Sequence, residues 1–229
     1  MADLDETKTE LRKIPASQSN RSRASHVYES LRDMIRDGQL KPGTRIREED
    51  IASIMDVSRT PVREALSRLL SRGLVELSGS GLSIVELSRP QIMELYAMRG
   101  ILEGAAARFA AENASSTDLE ALRHTHQLFV SYDGDAGGYA RANAAFHTAI
   151  SEAAHNRYQT RMLLDLTDSL ALLSNTTFAV PGRAECAREE HGRILQAIEK
   201  RDADAAEAAA REHIRKALSA RLTLMFAGH

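Results

Sequence analysis

The residues best placed to do chemistry in the first half of the sequence are two arginines in the segment 57–66. This segment reads Val-Ser-Arg-Thr-Pro-Val-Arg-Glu-Ala-Leu. Side chains four positions apart share one face of a helix, so Arg59 and Arg63 lie together while Val62 and Leu66 turn toward a core. A guanidinium donates two hydrogen bonds to guanine O6 and N7, or to a phosphate. The pattern therefore predicts a helix that reads DNA in the major groove.

Positive charge is concentrated in this region and is not a property of the whole chain. The formal net charge is −2, whereas proteins that coat nucleic acid without selectivity are usually strongly basic. Residues 59–72 nevertheless contain four arginines and one acid, Glu64. We expect selection of the partner to depend on geometry at this narrow patch, with Ser58 or Thr60 capping the helix and Pro61 in its first turn.

Three histidines in the second half lie on the apolar faces of three different predicted helices. They are His147, His191 and His213. Buried imidazoles need partners, and one divalent metal would satisfy all three, because neutral imidazole binds zinc or nickel well. Hydrogen bonding within a core is the alternative for each of them. The remaining histidines that we considered are interpreted as surface residues: His124, His126, His155 and His229.

Arg99 is a charged residue among apolar positions. Leu95 and Leu102 place it toward the core of its predicted helix. An ion pair with Glu103, four residues later, would explain it structurally. The functional alternative is a clamp for an anionic ligand, since a guanidinium binds a carboxylate through two hydrogen bonds. Asn175 is a further candidate for the lining of such a site.

The remaining composition is that of an ordinary folded protein. Hydrophobic residues make up 43% and charged residues 27% of the 229 positions, and no apolar run approaches the ~18 residues that would span a bilayer. Residues 1–20 are polar and unlike a secretory signal. A single cysteine, Cys186, excludes an internal disulfide and a multi-cysteine zinc site. We expect a cytoplasmic protein without membrane contact.

The elements that must position these residues change character near residue 89. Residues 1–22 predict a mobile arm. Helices at 25–36, at 48–55 and from 58 onward precede strands at 74–77 and 82–87, which flank a hairpin turn at 78–81. This order predicts a winged helix-turn-helix at 23–88. The later helices are expected at 91–112, 116–131, 137–154, 157–178, 182–201 and 203–225. Their short connections predict an all-α bundle at 89–229, and hence a mainly α protein.

The first domain resembles that of GntR-family bacterial transcription regulators. The matching stretches are Leu40-Lys41-Pro42-Gly43-Thr44-Arg45-Ile46, the segment 57–66, Arg68-Leu69 and Gly73-Leu74-Val75. The run Ser-Arg-Thr-Pro-Val-Arg-Glu-Ala-Leu is highly specific for this family. The resemblance implies a homodimer on a palindromic operator of double-stranded DNA, and the small wing tip permits close approach. The expected DNA-binding residues are Arg45, Ser58, Arg59, Thr60, Pro61, Arg63, Gly79 and Gly81.

The second half resembles the FCD subfamily, whose sensor domain is named after the fatty-acid regulator FadR. The matching stretches, within residues 92–218, are 95–103, 143–147, 190–191, 201–203 and 213–214. Many members bind a metal through an acidic residue, four positions before the first histidine, and three histidines. His147, His191 and His213 match these positions, but Asn143 stands where the family commonly has Asp. The resemblance implies a divalent metal, zinc in the first place, with nickel or manganese as alternatives.

Three functions follow from these features. The leading one is a ligand-responsive regulator, in which a small organic or sugar acid binds near Arg99 and Asn175 beside the metal and changes the placement of two DNA-reading heads. The second is the same regulator without a metal. The third, which we do not expect, is a metalloenzyme that activates water. Glu190 is the acid adjacent to His191, and we expect it to point elsewhere, about 100° around the helix.

Overall fold

Helices make up most of the structure, a computed structural model that describes residues 20–79, 81–173 and 175–227. The chain divides into two units. The first contains the described residues up to Ser88 together with residues 167–173, and the second contains residues 89–166 and 175–227. Residues 167–173, which the sequence assigns to the helical domain, thus join the first unit. Within the described ranges, no helix combines the length and apolar character needed to span a bilayer.

Three helices and three short strands form the first unit. They are α1 (Asn20–Arg36), β1 (Arg45–Ile46), α2 (Glu48–Met55), α3 (Arg59–Ser71), β2 (Val75–Ser78) and β3 (Gly81–Ile84). The apolar faces of the helices meet in one core, where Val27, Met55, Val62 and Leu69 are fully shielded from solvent. α1 packs along α3. The charged face of α3 consequently remains on the surface.

α1 begins earlier than the sequence predicts. It starts at Asn20, although we expected an arm over residues 1–22 and a helix from Ser25. Residues 20–24 contain neither proline nor glycine, so nothing in them interrupts a helix. The prediction of a mobile arm at residues 1–19 lies outside the described residues.

The wing is a three-stranded antiparallel sheet in the order β1-β3-β2: the predicted hairpin is present as β2 and β3, and β1 adds a third strand that was not predicted. β1 has two residues, of which Arg45 pairs with Ser83 of β3. So short a strand has no alternation that a sequence pattern could reveal. β3 also ends at Ile84, before the predicted end at Leu87.

The turn between α2 and α3 is fixed by its backbone. Asp56 adopts the left-handed conformation with φ 54°, which a short polar side chain tolerates better than most residues. Its N–H donates to the carbonyl of Ala52. Ser58 takes the extended N-cap position of α3 without a side-chain capping bond. Pro61 lies in the first turn of α3, where no backbone donor is needed.

The second unit is an all-α bundle, as predicted. Its elements are α4 (Arg89–Asn113), α5 (Ser116–Ser131), α6 (Ala136–Ala153), α7 (Arg157–Leu170), a 3-10 helix (Thr177–Ala179), α8 (Arg183–Glu199) and α9 (Ala203–Ala227). α4 packs along α9 and also against α6 and α8. Small residues permit this approach, because a Cβ on Gly104 would lie 2.8 Å from Arg211 Cγ. The packing gathers α6, α8 and α9, each of which carries one of the three histidines.

The predicted helix at 157–178 is wrong in its second half. α7 ends at Leu170, and the 3-10 helix follows only at Thr177–Ala179. Leu172 is 3% exposed and packs in the core of the first unit. Its position fits the apolar spacing of a helix, but the residue is buried by a different core. Asn175 then adopts a left-handed conformation with φ 63°, which an α-helix cannot accommodate.

Candidate functional site

Three histidines from three helices meet in the second unit. His147 lies on α6, His191 on α8 and His213 on α9, and one ligand nitrogen of each lies within 4.8 Å of the others. His191 and His213 are 0% and 2% exposed, and His147 is partly buried. The side chains that the sequence assigns to three inward faces therefore converge. We call this group the histidine centre.

Two buried carboxylates orient two of these rings. His147 Nδ1 contacts Glu103 Oε2, and His213 Nδ1 lies 2.7 Å from Glu190 Oε2. An ionised carboxylate only accepts hydrogen bonds, so Nδ1 carries the proton on both rings. Each Nε2 then turns inward, and the two Nε2 atoms are 3.1 Å apart. Two lone pairs at this separation repel each other unless a proton or a cation lies with them.

Each carboxylate is held in turn by an arginine. Arg99 donates to Glu103, and Arg183 Nη2 lies 2.8 Å from Glu190 Oε2. Burial alone would raise the pKa of Glu103, but the charge of Arg99, followed by the contact from His147 Nδ1, outweighs burial and holds this pKa well below its usual range. Two Arg–Glu–His chains thus reach the histidine centre, one ending at His147 and the other at His213.

His191 differs because neither of its ring nitrogens has a hydrogen-bond partner among the described residues. Its ring packs against Phe129 and Phe146, with centroid distances of 4.7 and 4.5 Å. Burial, followed by the neighbouring His213, lowers the pKa of His191 well below its usual value. Burial also lowers the pKa of His213 in the same way. Both rings are therefore neutral at pH 7, which is the form that binds a metal.

Arg183 and Glu190 are site residues that sequence reasoning missed. Arg183 is 6% exposed, and its Nε and Nη1 atoms are buried without a hydrogen-bond partner in the part of the chain that the structure describes. The expectation that Glu190 points elsewhere is wrong, because the buried face of α8 is wide enough to include both Glu190 and His191. A signal existed: Arg183, Ala187, Glu190 and Ile194 follow the spacing of an apolar helical stripe.

The two asparagines singled out from the sequence have different surroundings. Asn143 is partly buried on α6, one turn before His147, and it stays a candidate ligand. Asn175 is exposed. Its left-handed backbone directs its carbonyl oxygen to Arg221 Nη2, 2.7 Å away. These features explain the backbone at Asn175, and its place in an effector site stays a prediction.

One histidine assigned to the surface is not there. His126 on α5 is partly buried, its ring lies 5.8 Å from that of Phe146, and its Nε2 atom is shielded from solvent. His124 and His155 are exposed as expected, and His229 lies outside the described residues. His126 was assigned wrongly because α5 packs against both α6 and α8. Two neighbouring helices bury a wider face of α5 than the single apolar stripe that the sequence shows.

The candidate DNA-reading face lies at the start of α3. Arg59, Thr60 and Arg63 are exposed, as is the N-cap residue Ser58. Pro61 is buried, so it shapes the start of the helix and is not placed to touch a ligand. A groove of about 660 Å³ between α1 and α3 runs beside this face, and Thr60 and Arg63 contribute to its lining.

The wing tip and β1 carry the remaining candidate DNA contacts. Gly79 is exposed, and Gly81 has φ 116°, a conformation that glycine adopts without strain. The guanidinium of Arg45 lies beside Gly81, 3.8 Å from the position a Cβ would occupy. Arg45 therefore sits against the hairpin at its tip, where a strand-borne cation could meet a phosphate.

A winged helix-turn-helix joined to an all-α domain defines a DNA-binding transcription regulator. The chain matches the family described as "Bacterial regulatory proteins, gntR family" over residues 23–83 and the one described as "FCD domain" over residues 94–216. The chain belongs to the GntR family and carries an FCD domain. The predicted family and fold class are confirmed, and so is the prediction of a regulator, not an enzyme.

Relatives and solved structures agree with this assignment. The "Uxu operon transcriptional regulator" of Escherichia coli (strain K12) is 32% identical over 222 residues, covering 83% of this chain and 85% of the relative. The "Probable D-xylose utilization operon transcriptional repressor" of Paenarthrobacter nicotinovorans is 31% identical over 195 residues, covering 83% and 85%. The solved structure "E. coli McbR/YncC" shares the fold, with a TM-score of 0.74 at 23% identity, covering 89% of this chain and 98% of that chain.

Proposed function

We propose that this chain is a ligand-responsive regulator that binds a palindromic operator as a homodimer. A small carboxylate and a divalent metal would bind at the histidine centre and change the placement of the two DNA-reading heads. One observation carries the metal: the two inward Nε2 atoms lie 3.1 Å apart, and each ring has its Nδ1 against a carboxylate.

The spacing of the nitrogens suits a metal. Zinc binds imidazole nitrogen at about 2.0–2.1 Å, so two ligand nitrogens of a tetrahedral site are about 3.3 Å apart. The separation of 3.1 Å between His147 Nε2 and His213 Nε2 is close to that value. The third nitrogen, from His191, lies within 4.8 Å of both, and a small ring movement would complete the set.

The ligand set favours zinc. Three neutral imidazoles, with the amide oxygen of Asn143 as a fourth donor, form an uncharged set in which nitrogen dominates, whereas manganese prefers oxygen ligands. Glu103 and Glu190 compensate for the missing acid at position 143. A carboxylate on Nδ1 makes the imidazole a better donor and fixes its orientation, so the negative charge lies on the far side of the imidazole ring from the metal.

Arg183 is the best candidate for the carboxylate clamp of the effector. Its Nη2 lies 2.8 Å from Glu190 and 3.4 Å from His213 Nδ1, which puts this arginine beside the histidine centre. Nε and Nη1 are buried without a hydrogen-bond partner among the described residues, and a buried charged donor without a partner is unfavourable. An effector carboxylate would supply an acceptor to one of them. Arg99, the clamp expected from the sequence, is already paired with Glu103.

The metal-free alternative replaces the metal with a proton between His147 and His213. That arrangement would account for the short Nε2 distance, but it leaves both nitrogens of His191 unpaired. The metalloenzyme alternative is disfavoured because Glu190, the acid nearest to a histidine on α8, accepts from both Arg183 and His213. A general base needs a free carboxylate within reach of the attacking water.

Elemental analysis of untagged protein tests the metal. We expect close to one zinc per chain after purification or reloading, lost in His191→Ala and kept in His124→Ala, which removes an exposed histidine. Zinc should also raise the unfolding free energy by about 2.7 kcal/mol at one hundred times its dissociation constant. If reloaded wild-type protein contains no stoichiometric metal, the metal site is wrong and the metal-free regulator is the remaining reading.

Binding of the effector is tested separately. A panel of hydroxy and sugar acids would be titrated into the complex of wild-type protein with a DNA duplex selected from a random library. We expect at least one acid to change DNA affinity in the wild type and to lose this effect in Arg183→Ala. An acid that acts equally on both proteins would remove Arg183 from the effector site.

A further inference from the structure

The recognition arginines of the first unit are already occupied by acids of the same unit. Arg59 Nη2 lies 2.6 Å from Glu49 Oε1 and 3.6 Å from Glu48 Oε2. Arg63 contacts both oxygens of Glu48, with Nε to Oε1 at 3.2 Å and Nη2 to Oε2 at 3.0 Å. The two arginines that the sequence predicts to face the major groove are therefore neutralised by the first turn of α2.

The surroundings of these contacts make them exchangeable. The side chains of Arg59 and Arg63 are 56% and 68% exposed, and that of Glu49 is 61% exposed. Glu48 is less open, at 24%, and its hydrogen bond from Arg63 lowers its pKa, so it remains ionised at pH 7. An exposed ion pair changes an equilibrium constant by a factor of about 1.4 to 5. Such a pair holds an arginine only until a stronger partner arrives.

We propose that Glu48 and Glu49 form an acidic mask that withholds Arg59 and Arg63 from DNA unless the duplex offers base contacts stronger than the mask. A bidentate arginine–guanine contact discriminates against the wrong base by a factor of about 5 to 140, which exceeds the strength of one exposed ion pair. A phosphate contact carries no base recognition and weakens as salt rises. The mask would therefore penalise non-specific binding more than specific binding. This inference rests on the proposed DNA contacts of Arg59 and Arg63 and is independent of the metal.

The mask also bears on the choice between specific and non-specific DNA. A regulator in a cell competes with a large excess of non-specific DNA, so the ratio of specific to non-specific affinity matters more than affinity alone. Arginines that are neutralised in the free protein contribute little to long-range attraction by the phosphate backbone. An arginine that exchanges one carboxylate for guanine still contributes fully to the specific complex.

A simpler role for the two acids makes a different prediction. Acidic residues in the first turn of a helix stabilise it through the helix dipole, and the first turn of α2 contains Glu48, Glu49 and Asp50. If this were their whole function, neutralising them would lower the stability of the first unit. DNA binding would be unchanged under conditions in which the variant is fully folded. Stability and the salt dependence of DNA binding therefore separate the two roles.

The test uses the full-length protein and a random-sequence 30-base-pair duplex as a non-specific probe, followed by fluorescence anisotropy at several NaCl concentrations. Each phosphate contact released from the mask should steepen the slope of log K against log salt by about 0.9. We expect Glu49→Gln to steepen it by about that amount and to bind the probe on the order of threefold to tenfold more tightly at low salt. Glu48→Gln with Glu49→Gln together should steepen the slope by about 1.8.

Two matched variants carry the same change of charge without the mask contacts. Glu64→Gln alters an exposed acid on α3 next to Arg63, and Glu189→Gln alters an exposed acid on α8 that pairs with Arg193. Neither should change the slope by more than half as much as Glu49→Gln. An equal effect in Glu64→Gln would overturn the mask in favour of general surface charge.

The outcome also separates the mask from the proposed contacts. If Glu49→Gln leaves the slope unchanged while Arg59→Ala weakens binding to a selected duplex, the contacts stand and the mask is wrong. If Arg59→Ala has no effect on the selected duplex, the proposed contact itself fails. If Glu49→Gln steepens the slope, and a library selection shows relaxed sequence preference relative to wild type, the mask is supported.

Discussion

The first unit pairs Arg59 and Arg63 with glutamates at the surface, whereas the second unit buries Arg99 and Arg183 with theirs. The Glu49 side chain is 61% exposed and that of Glu190 only 2%. Exposed pairs contribute at most about 1 kcal/mol and are screened by salt. A buried pair cannot be broken without leaving an unpaired charge in the interior. The same two residue types therefore give exchangeable contacts in one unit and fixed supports in the other.

The largest effect should come from breaking a buried pair. Glu190→Ala leaves Arg183 buried without its carboxylate and removes the acceptor of His213 Nδ1, so we expect a loss of about 3–5 kcal/mol in the unfolding free energy. Urea denaturation followed by circular dichroism measures this loss. The control is the neighbouring Glu189→Ala, whose side chain is 72% exposed and which should stay within about 0.5 kcal/mol. Equal losses in both variants would refute the distinction between the two units.

The next effect concerns the orientation of a ring and not its burial. Glu103→Gln keeps the shape of the side chain but replaces the ionised acceptor of His147 Nδ1 with a neutral amide. We expect metal affinity to fall about 10–100-fold, as measured by competition with a chromogenic chelator. Glu112→Gln on the same helix, from an exposed pair with Arg108, should leave the affinity unchanged. Wild-type affinity in Glu103→Gln would mean that the Arg99 chain does not support the metal.

In the first unit, removing an arginine should lower the affinity for DNA and leave the stability of the fold unchanged. Arg59→Ala deletes an exposed side chain, so stability should hardly change, while affinity for a duplex selected from a random library should fall about 5- to 140-fold. Electrophoretic mobility shifts with the selected duplex measure this. Arg36→Ala removes an equally exposed arginine, 55% exposed on α1, and should be close to neutral. Similar losses in the two variants would indicate a general charge effect.

The sequence predicts features that depend on local spacing and misses contacts between distant elements. Local spacing identified the helices and the faces that carry His147, His191 and His213, because apolar residues recur every three or four positions along an amphipathic helix. It also placed Arg59 and Arg63 on one face. The spacing of residues within one element does not reveal side-chain partners on a distant element. The pairing of Arg63 with Glu48 joins two helices, and no spacing within either one reveals it.

The misses in the second unit have related causes. Glu190 and His126 were assigned outward because one helix was considered alone, whereas each helix in the bundle has more than one neighbour. The helix predicted at 157–178 ends at Leu170, and the apolar Leu172 beyond it packs in the core of the first unit. Sequence periodicity reports that a residue is buried. It does not report what buries it.

The smallest expected effect tests Asp118, a partly buried acid in the first turn of α5. Asp118 accepts from the backbone N–H of Ser115 at 2.7 Å and completes a capping box at the start of α5. The hydrogen bonds from Ser115, followed by His155, lower the pKa of Asp118 to about 2. Since the folded pKa lies below the unfolded value of about 3.9, the stabilisation is present above about pH 4 and is lost as the pH falls toward 2.

We therefore expect Asp118→Ala to cost about 1 kcal/mol at pH 7, the usual size for a capping interaction at an exposed helix end. The difference from wild type should shrink at pH 3, because the wild-type carboxylate begins to lose its own contribution there. Urea titrations at the two pH values measure it, and Asp133→Ala, which removes an exposed acid beyond the end of α5, controls for net charge. A difference that grows on acidification, or a loss approaching that of Glu190→Ala, would show that exposure does not set the strength of these contacts.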